Sequence, residues 1–359
     1  MKKPILWAAL CLLGLAACQK TPASSEPATV EAPEGQLSIQ VLPQTKAPSG
    51  ETRFSKVLSV QVFVFRQSDG IKETDRYSVD ANEINAGIKL STLTGKKIVW
   101  AVVNAPRLYV NTEEELKTKA SALSDNRLTG VVMTGYNSLV DVQPYKLDNP
   151  EGTRTPVHID VSRLGARVSL QKVYANFQGT ALENCTLTIK GLYLKNVVNT
   201  VNYNRSSPSL SAESRWNNRL TWQSSNVDGL ISDRNLSITC SNNGTVPTSE
   251  NVGRSWYVYP NPTVADSNSD TWSPRHTRLV LHASVSGTVN GEAYNKENTY
   301  YVFTLPVIEG NHTYDIQSIL ITMLGNDDDD DDDPTTAGKI AVTISVNPWD
   351  DELTLNYEI

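Results

Sequence analysis

An all-β fold is predicted for this chain, and three observations predict it. Short runs with the two-residue alternation of half-buried strands recur along most of its 359 residues. Its 20 Gly and 18 Pro fall between those runs, where turns need them. One stretch, Asn111–Leu123, reads as a helix, with Asn111 or Thr112 as N-cap and Glu113, Glu114 and Glu115 in the first turn, where the helix dipole favours carboxylates. The length suits two domains of roughly 150 residues each.

In chain order, residues 1–18 read as an export signal. Lys2 and Lys3 precede an apolar run from Ile5 to Leu15, which is too short to span a bilayer as a permanent helix. Small residues and a Cys follow: Leu15-Ala16-Ala17-Cys18 resembles a bacterial lipobox, so Cys18 is expected to carry lipid and become the N-terminus. An ordinary cleavage site is the alternative, disfavoured because Cys18 directly follows Leu-Ala-Ala. Gln19 at the next position, rather than Asp, does not suggest retention at an inner membrane. Gln19–Gly35, rich in Pro, Ala, Ser, Thr and Glu, suits a flexible tether.

Leu37, Ile39 and Val41 then alternate with Ser38 and Gln40, as in a strand with one buried face. Pro43, Pro48, Ser49 and Gly50 stop it. A second strand is expected over Val57–Phe65, bounded by Ser68-Asp69-Gly70. Between the two lies Thr52-Arg53-Phe54, a single Arg in a polar loop, where an Arg-directed protease could cut between Arg53 and Phe54. That cut removes the first strand and opens a slot in its sheet. Residues 19–53 therefore read as tether and removable strand.

Further strands are expected at Ile88–Leu93, Lys97–Asn104, Val131–Tyr136, Pro156–Val161 and Ala166–Tyr174. A composition shift near Asn176–Glu183 sets the expected domains at 54–178 and 179–359. The second holds strand signals at Cys185–Val198, Ser255–Tyr259, Arg278–Val285, Tyr300–Val307, Tyr314–Leu324 and Ile340–Val346. The polar section Asn199–Thr248 reads as surface loops, in preference to a glycan-binding ledge built on Trp216 and Trp222. At the C-terminal end Leu353, Leu355, Tyr357 and Ile359 share one face of a half-apolar strand.

The formal charge of −7 argues against a nucleic-acid partner, which needs a basic stripe. Seven acids form the run Asp327–Asp333, read as a solvated loop, since a calcium loop spaces its ligands around a Gly. Outside the signal the Cys are Cys185 and Cys240; they suit either a disulfide or two buried thiols, and no zinc spacing accompanies them. His158, His276, His282 and His312 are scattered, and no nucleophile-and-base set, metal cluster or phosphate loop appears. No catalytic residue, metal or cofactor is expected.

The order of these segments resembles the fimbrillins of Bacteroidales, the major subunits of type V pili. The likeness rests on Cys18, Arg53, Val57–Phe65, Ile98–Pro106, Arg163–Val168, Leu187–Val197, Trp256–Pro260, Asn311–Ile321 and Ala341–Trp349. It implies two transthyretin-like β-sandwich domains in tandem and export as an outer-membrane lipoprotein. It implies also that an Arg-specific surface protease removes the first strand, and that a neighbouring subunit's C-terminal strand fills the slot by donor-strand exchange. Leu37, Ile39 and Val41 would then be the strand removed, and Leu353, Leu355, Tyr357 and Ile359 the donor. The expected partners are further copies of the chain and accessory fimbrial subunits, at the cell surface. A surface glycan-binding lipoprotein that keeps its lipid, or an accessory tip or anchor subunit, is the alternative function.

Overall fold

The computed structural model describes residues 33–43, 54, 56–149, 153–206, 215–216, 229–247, 249, 251–266, 274–329, 340–348 and 356–358. The first half supplies β1 (Glu34–Pro43), β2 (Val60–Arg66), β3 (Lys72–Ser78), β4 (Ile88–Leu93), β5 (Gly95–Val103), β6 (Ala120–Ala122), β7 (Met133–Val142) and β8 (Thr155–Arg163). Seven of these hydrogen-bond in the order β3-β2-β5-β7-β8-β1-β4. The ladder between β7 and β8 is two pairs long, so the sheet turns there. Its two parts face each other across a core that includes Val60, Val62, Val64, Val99, Ala101, Val140, Val157 and Ile159. At the sheet's two ends Glu73 of β3 accepts from Thr92 Oγ1 of β4 at 2.6 Å and pairs with buried Lys97 at 2.8 Å.

The run Val60–Phe65 is apolar almost throughout because β2 is covered on both faces. Val60, Val62 and Val64 point into that core, and Phe63 and Phe65 into a second, larger one. Gln61, also buried, is satisfied by Leu108: its Nε2 donates to the Leu108 carbonyl at 2.9 Å and its Oε1 accepts the Leu108 N–H at 2.8 Å. Two short α-helices are described, α1 (Ala81–Ala86) and α2 (Glu113–Thr118). Thr112 caps α2 as expected, its Oγ1 accepting from the Glu115 N–H at 3.1 Å. The helix stops at Thr118, short of Leu123, because the backbone of Ala120–Ala122 is taken into a ladder with Thr200–Asn202.

The second half supplies β9 (Ala166–Ala175), β10 (Asn184–Lys195), β11 (Val197–Val198), β12 (Thr200–Asn202), β13 (Arg215–Trp216), β14 (Ser232–Thr239), β15 (Arg254–Val258), β16 (Arg278–Val289), β17 (Glu292–Thr304), β18 (His312–Ile321), β19 (Ile340–Pro348) and β20 (Asn356–Glu358). A four-stranded sheet, β14-β10-β16-β17, faces a five-stranded one, β15-β9-β18-β19-β20. Leu187, Ile189, Leu192 and Leu194 of β10 all reach the core between them because a bulge between Ile189 and Gly191 resets the alternation. A matching shift between Ile316 and Ser318 lets Tyr314, Ile316, Ile319 and Ile321 do the same from β18.

The boundary expected at 178 lies beyond β9. β9 hydrogen-bonds β15 and β18, so the passage between the sheet systems lies at Leu164 and Gly165. The polar stretch Asn176–Glu183 is the connection from β9 to β10 within the C-terminal sheets. The section read as loops, 199–248, also contains β12, β13 and β14.

Among the described residues no helix is long and apolar enough to cross a membrane.

Candidate functional site

β1 lies inside its sheet, parallel to β8 and antiparallel to β4. Leu37 stands opposite Leu90 and Thr155, Ile39 opposite Ile88 and Val157, and Val41 opposite Ile159. Leu37 and Ile39 have no exposed surface, and half-buried Val41 packs on the same core. Ser38 and Gln40 face away, as the alternation requires. Burying an aliphatic side chain is worth about 1.5–3 kcal/mol, so withdrawing β1 uncovers an apolar floor and two unpaired ladders. β9 holds the corresponding place in the C-terminal sheets, parallel to β18 and antiparallel to β15, but runs on directly from β8.

Arg53 lies outside the described residues; Phe54 does not. Its side chain is fully buried, its backbone is left-handed (φ 63°), and its N–H donates to the Leu128 carbonyl at 3.0 Å. The sequence places Phe54 in a polar loop, and its ring is part of the large core. Lys56 N–H then donates to the Thr129 carbonyl at 2.9 Å. Asn104, also left-handed (φ 61°), fastens the residues from Lys56 to Ser59. Its Oδ1 accepts from the Leu58 N–H at 2.7 Å and the Ser59 N–H at 3.4 Å; its Nδ2 donates to the carbonyls of Lys56 at 2.7 Å and Val131 at 2.9 Å. The chain beyond residue 53 is therefore held by contacts that do not involve β1.

Sequence reasoning does not single out Asn104. The signal available is an Asn closing a buried strand just before Ala105-Pro106, a position that tolerates the left-handed conformation.

At the other end, β20 pairs with the edge of β19, with Tyr357 opposite Ile344 and Asn356 opposite Ser345. The middle of the expected donor strand thus sits on its own sheet over three residues. Leu353, Leu355 and Ile359 lie outside the described residues, as do Cys18 and Trp222. Trp216 lies in β13, paired with Val197 of β11.

Among the described residues no group of three or more His, Cys, Asp or Glu is placed to hold a metal ion. Cys185 and Cys240 are both buried free thiols, and burial pushes Cys240 up to about 12. The start of the acidic run is fastened rather than loose. Tyr193 donates its hydroxyl to Asp329 Oδ2 at 2.6 Å, buried Lys195 donates to the Asp329 carbonyl at 2.5 Å, and Lys296 pairs with Asp327. These two cations offset the mutual repulsion expected of consecutive carboxylates.

No family model matches the chain, and no curated protein does. Solved structures do. A candidate cell adhesion protein of Parabacteroides distasonis superposes with a TM-score of 0.61 at 14% identity, over 89% of this chain and 99% of that one. A candidate cell adhesion protein of Bacteroides eggerthii gives 0.58 at 17%, over 89% and 97%. A fimbrilin of Porphyromonas gingivalis gives 0.54 at 16%, over 89% and 98%. The all-β fold is shared with these adhesion and fimbrial proteins across nearly their whole length.

Proposed function

We propose that this chain is a structural subunit of a cell-surface fimbria, exported as a lipoprotein through Cys18 and assembled by donor-strand exchange. An Arg-specific protease cuts between Arg53 and Phe54, β1 leaves, and a neighbour's Leu353, Leu355, Tyr357 and Ile359 enter the slot between β4 and β8. The observation that carries this reading is the seating of β1: an interior strand with Leu37 and Ile39 fully buried, followed by a segment anchored independently through Phe54 and Asn104. Strand addition suits a polymer, because each joint gains ladder hydrogen bonds and covers an alternating apolar face. The fold shared with a fimbrilin and with candidate adhesion proteins supports the same role.

The burial of Phe54 adds a condition. Proteases bind their substrates as extended strands, so the peptide bond before Phe54 is cut while that residue is out of its pocket, and Phe54 docks again afterwards. The test is Arg53→Ala on cells. The expected result is a folded, lipidated precursor that does not polymerise, since β1 keeps filling its own slot; fibres of normal length and number would refute the scheme.

A further inference from the structure

β7 leaves β8 after the pairs Met133–Arg163 and Thr134–Ser162. At the next residue, Gly135, the two backbones touch so closely that a Cβ would lie 1.9 Å from the Asp160 carbonyl oxygen. A glycine inside a strand marks such a close approach. Beside it lies a cleft of about 310 Å3 whose lining includes Gly135, Tyr136, Asp160, Ser162 and Arg205.

The walls are fixed in place. Tyr136 is 58% exposed, yet its ring is stacked on Trp100 at 4.8 Å and 19°. Trp100 is itself buried and donates its indole N–H to Glu113 Oε1 at 3.0 Å. Arg205 has a left-handed backbone and donates from Nη2 to the Thr134 carbonyl at 2.8 Å. Thr134 Oγ1 in turn donates to the Tyr203 carbonyl at 3.1 Å. A backed aromatic ring open to solvent, with an exposed aspartate and an arginine in the lining of the same small cleft, suits a sugar. A pyranose ring has an apolar C–H face for the aromatic ring and hydroxyls that both donate and accept. A carboxylate in the wall disfavours phosphate esters and other anions.

We propose that this cleft binds a neutral pyranose sugar, its C–H face on Tyr136, with Asp160 accepting from and Arg205 donating to its hydroxyls. Its occupancy does not depend on fibre assembly, so it stands or falls apart from the function proposed above. The test is saturation-transfer NMR on the purified full chain, with the methyl glycosides of glucose, galactose and mannose and with N-acetylglucosamine as probes. At least one should receive saturation; Tyr136→Phe should bind it as wild type does, and Tyr136→Ala about tenfold more weakly. Asp160→Asn, at an exposed residue of the lining, should weaken binding in the same direction while its thermal unfolding matches wild type. Absence of saturation for all four probes would overturn the proposal, and so would binding that both Tyr136→Ala and Asp160→Asn leave unchanged.

Discussion

The ring of Phe54 lies 5.7 Å from the ring of Tyr257, tilted by 39°. Through this contact the first residue beyond the expected cut touches β15 in the C-terminal sheets. Tyr257 Oη also accepts the Gly165 N–H at 2.7 Å, at the point where β8 passes into β9. A Cβ at Gly165 would lie 2.3 Å from the Val258 carbonyl oxygen, so that passage needs a glycine. Phe54 is thus a peg between the two sheet systems, held by contacts other than those of β1.

Phe54→Ala should therefore destabilise the chain by about 3–5 kcal/mol, the range for a large aromatic removed from a core. Phe54→Leu, which keeps most of the volume, should cost less than half of that. Chemical denaturation of both variants, compared with wild type at the same ionic strength, checks the order.

Asn104→Ala removes a side chain that makes four hydrogen bonds and tolerates a left-handed backbone. A loss of about 2–4 kcal/mol is expected, from bonds worth about 1 kcal/mol each and a strained alanine. Limited proteolysis should show new cleavage after Lys56 in this variant and not in wild type. Unchanged protection at Lys56 would mean that Phe54 and the ladder from Val60 onward hold the segment without Asn104.

Cys185 and Cys240 should both be silent to an alkylating reagent in the folded chain and both react after unfolding. Burial keeps them from reagent, and the raised Cys240 pKa keeps it protonated at neutral pH. Mass spectrometry of the alkylated protein counts the labels; a disulfide mass in the untreated chain would contradict the arrangement of two free thiols.

Deleting residues 350–359 should stop polymerisation and leave a soluble, folded monomer. In the structure β20 adds three residues to an edge of its sheet, a small share of the fold. Exchanging the pattern, with polar residues at Leu353, Leu355, Tyr357 and Ile359 and apolar ones at Thr354, Asn356 and Glu358, should be as damaging, since a one-residue slip turns every side chain to the opposite face. Electron microscopy of sheared material reads the outcome, and fibres from the deletion would assign the terminal strand to its own sheet.

Strands with a buried face are legible in the sequence because burial imposes alternation: Leu37, Ile39 and Val41 do share one face, and β4 has the bounds expected of it. β3 is not legible, since Lys72–Ser78 is a charged edge strand with almost nothing buried. The helical signal over Asn111–Leu123 fails at its end because a distant strand, β12, claims the backbone of β6. At the candidate site, β1 is visible in the sequence and the anchors of the segment after it are not. One Phe in a polar run gives no periodicity, so the burial of Phe54 arises from tertiary packing against Tyr257. The role of Asn104 depends on four partners contributed by Lys56, Leu58, Ser59 and Val131, and local sequence carries no trace of them.

The claim on which the rest depends is that β1 is absent from the assembled protein. N-terminal sequencing of protein sheared from the cell surface tests it directly. The expected sequence begins at Phe54, with β1 gone and the chain from Phe54 onward intact. A blocked, lipid-bearing N-terminus at Cys18, with Leu37, Ile39 and Val41 still present in the sheared fibre, would contradict it.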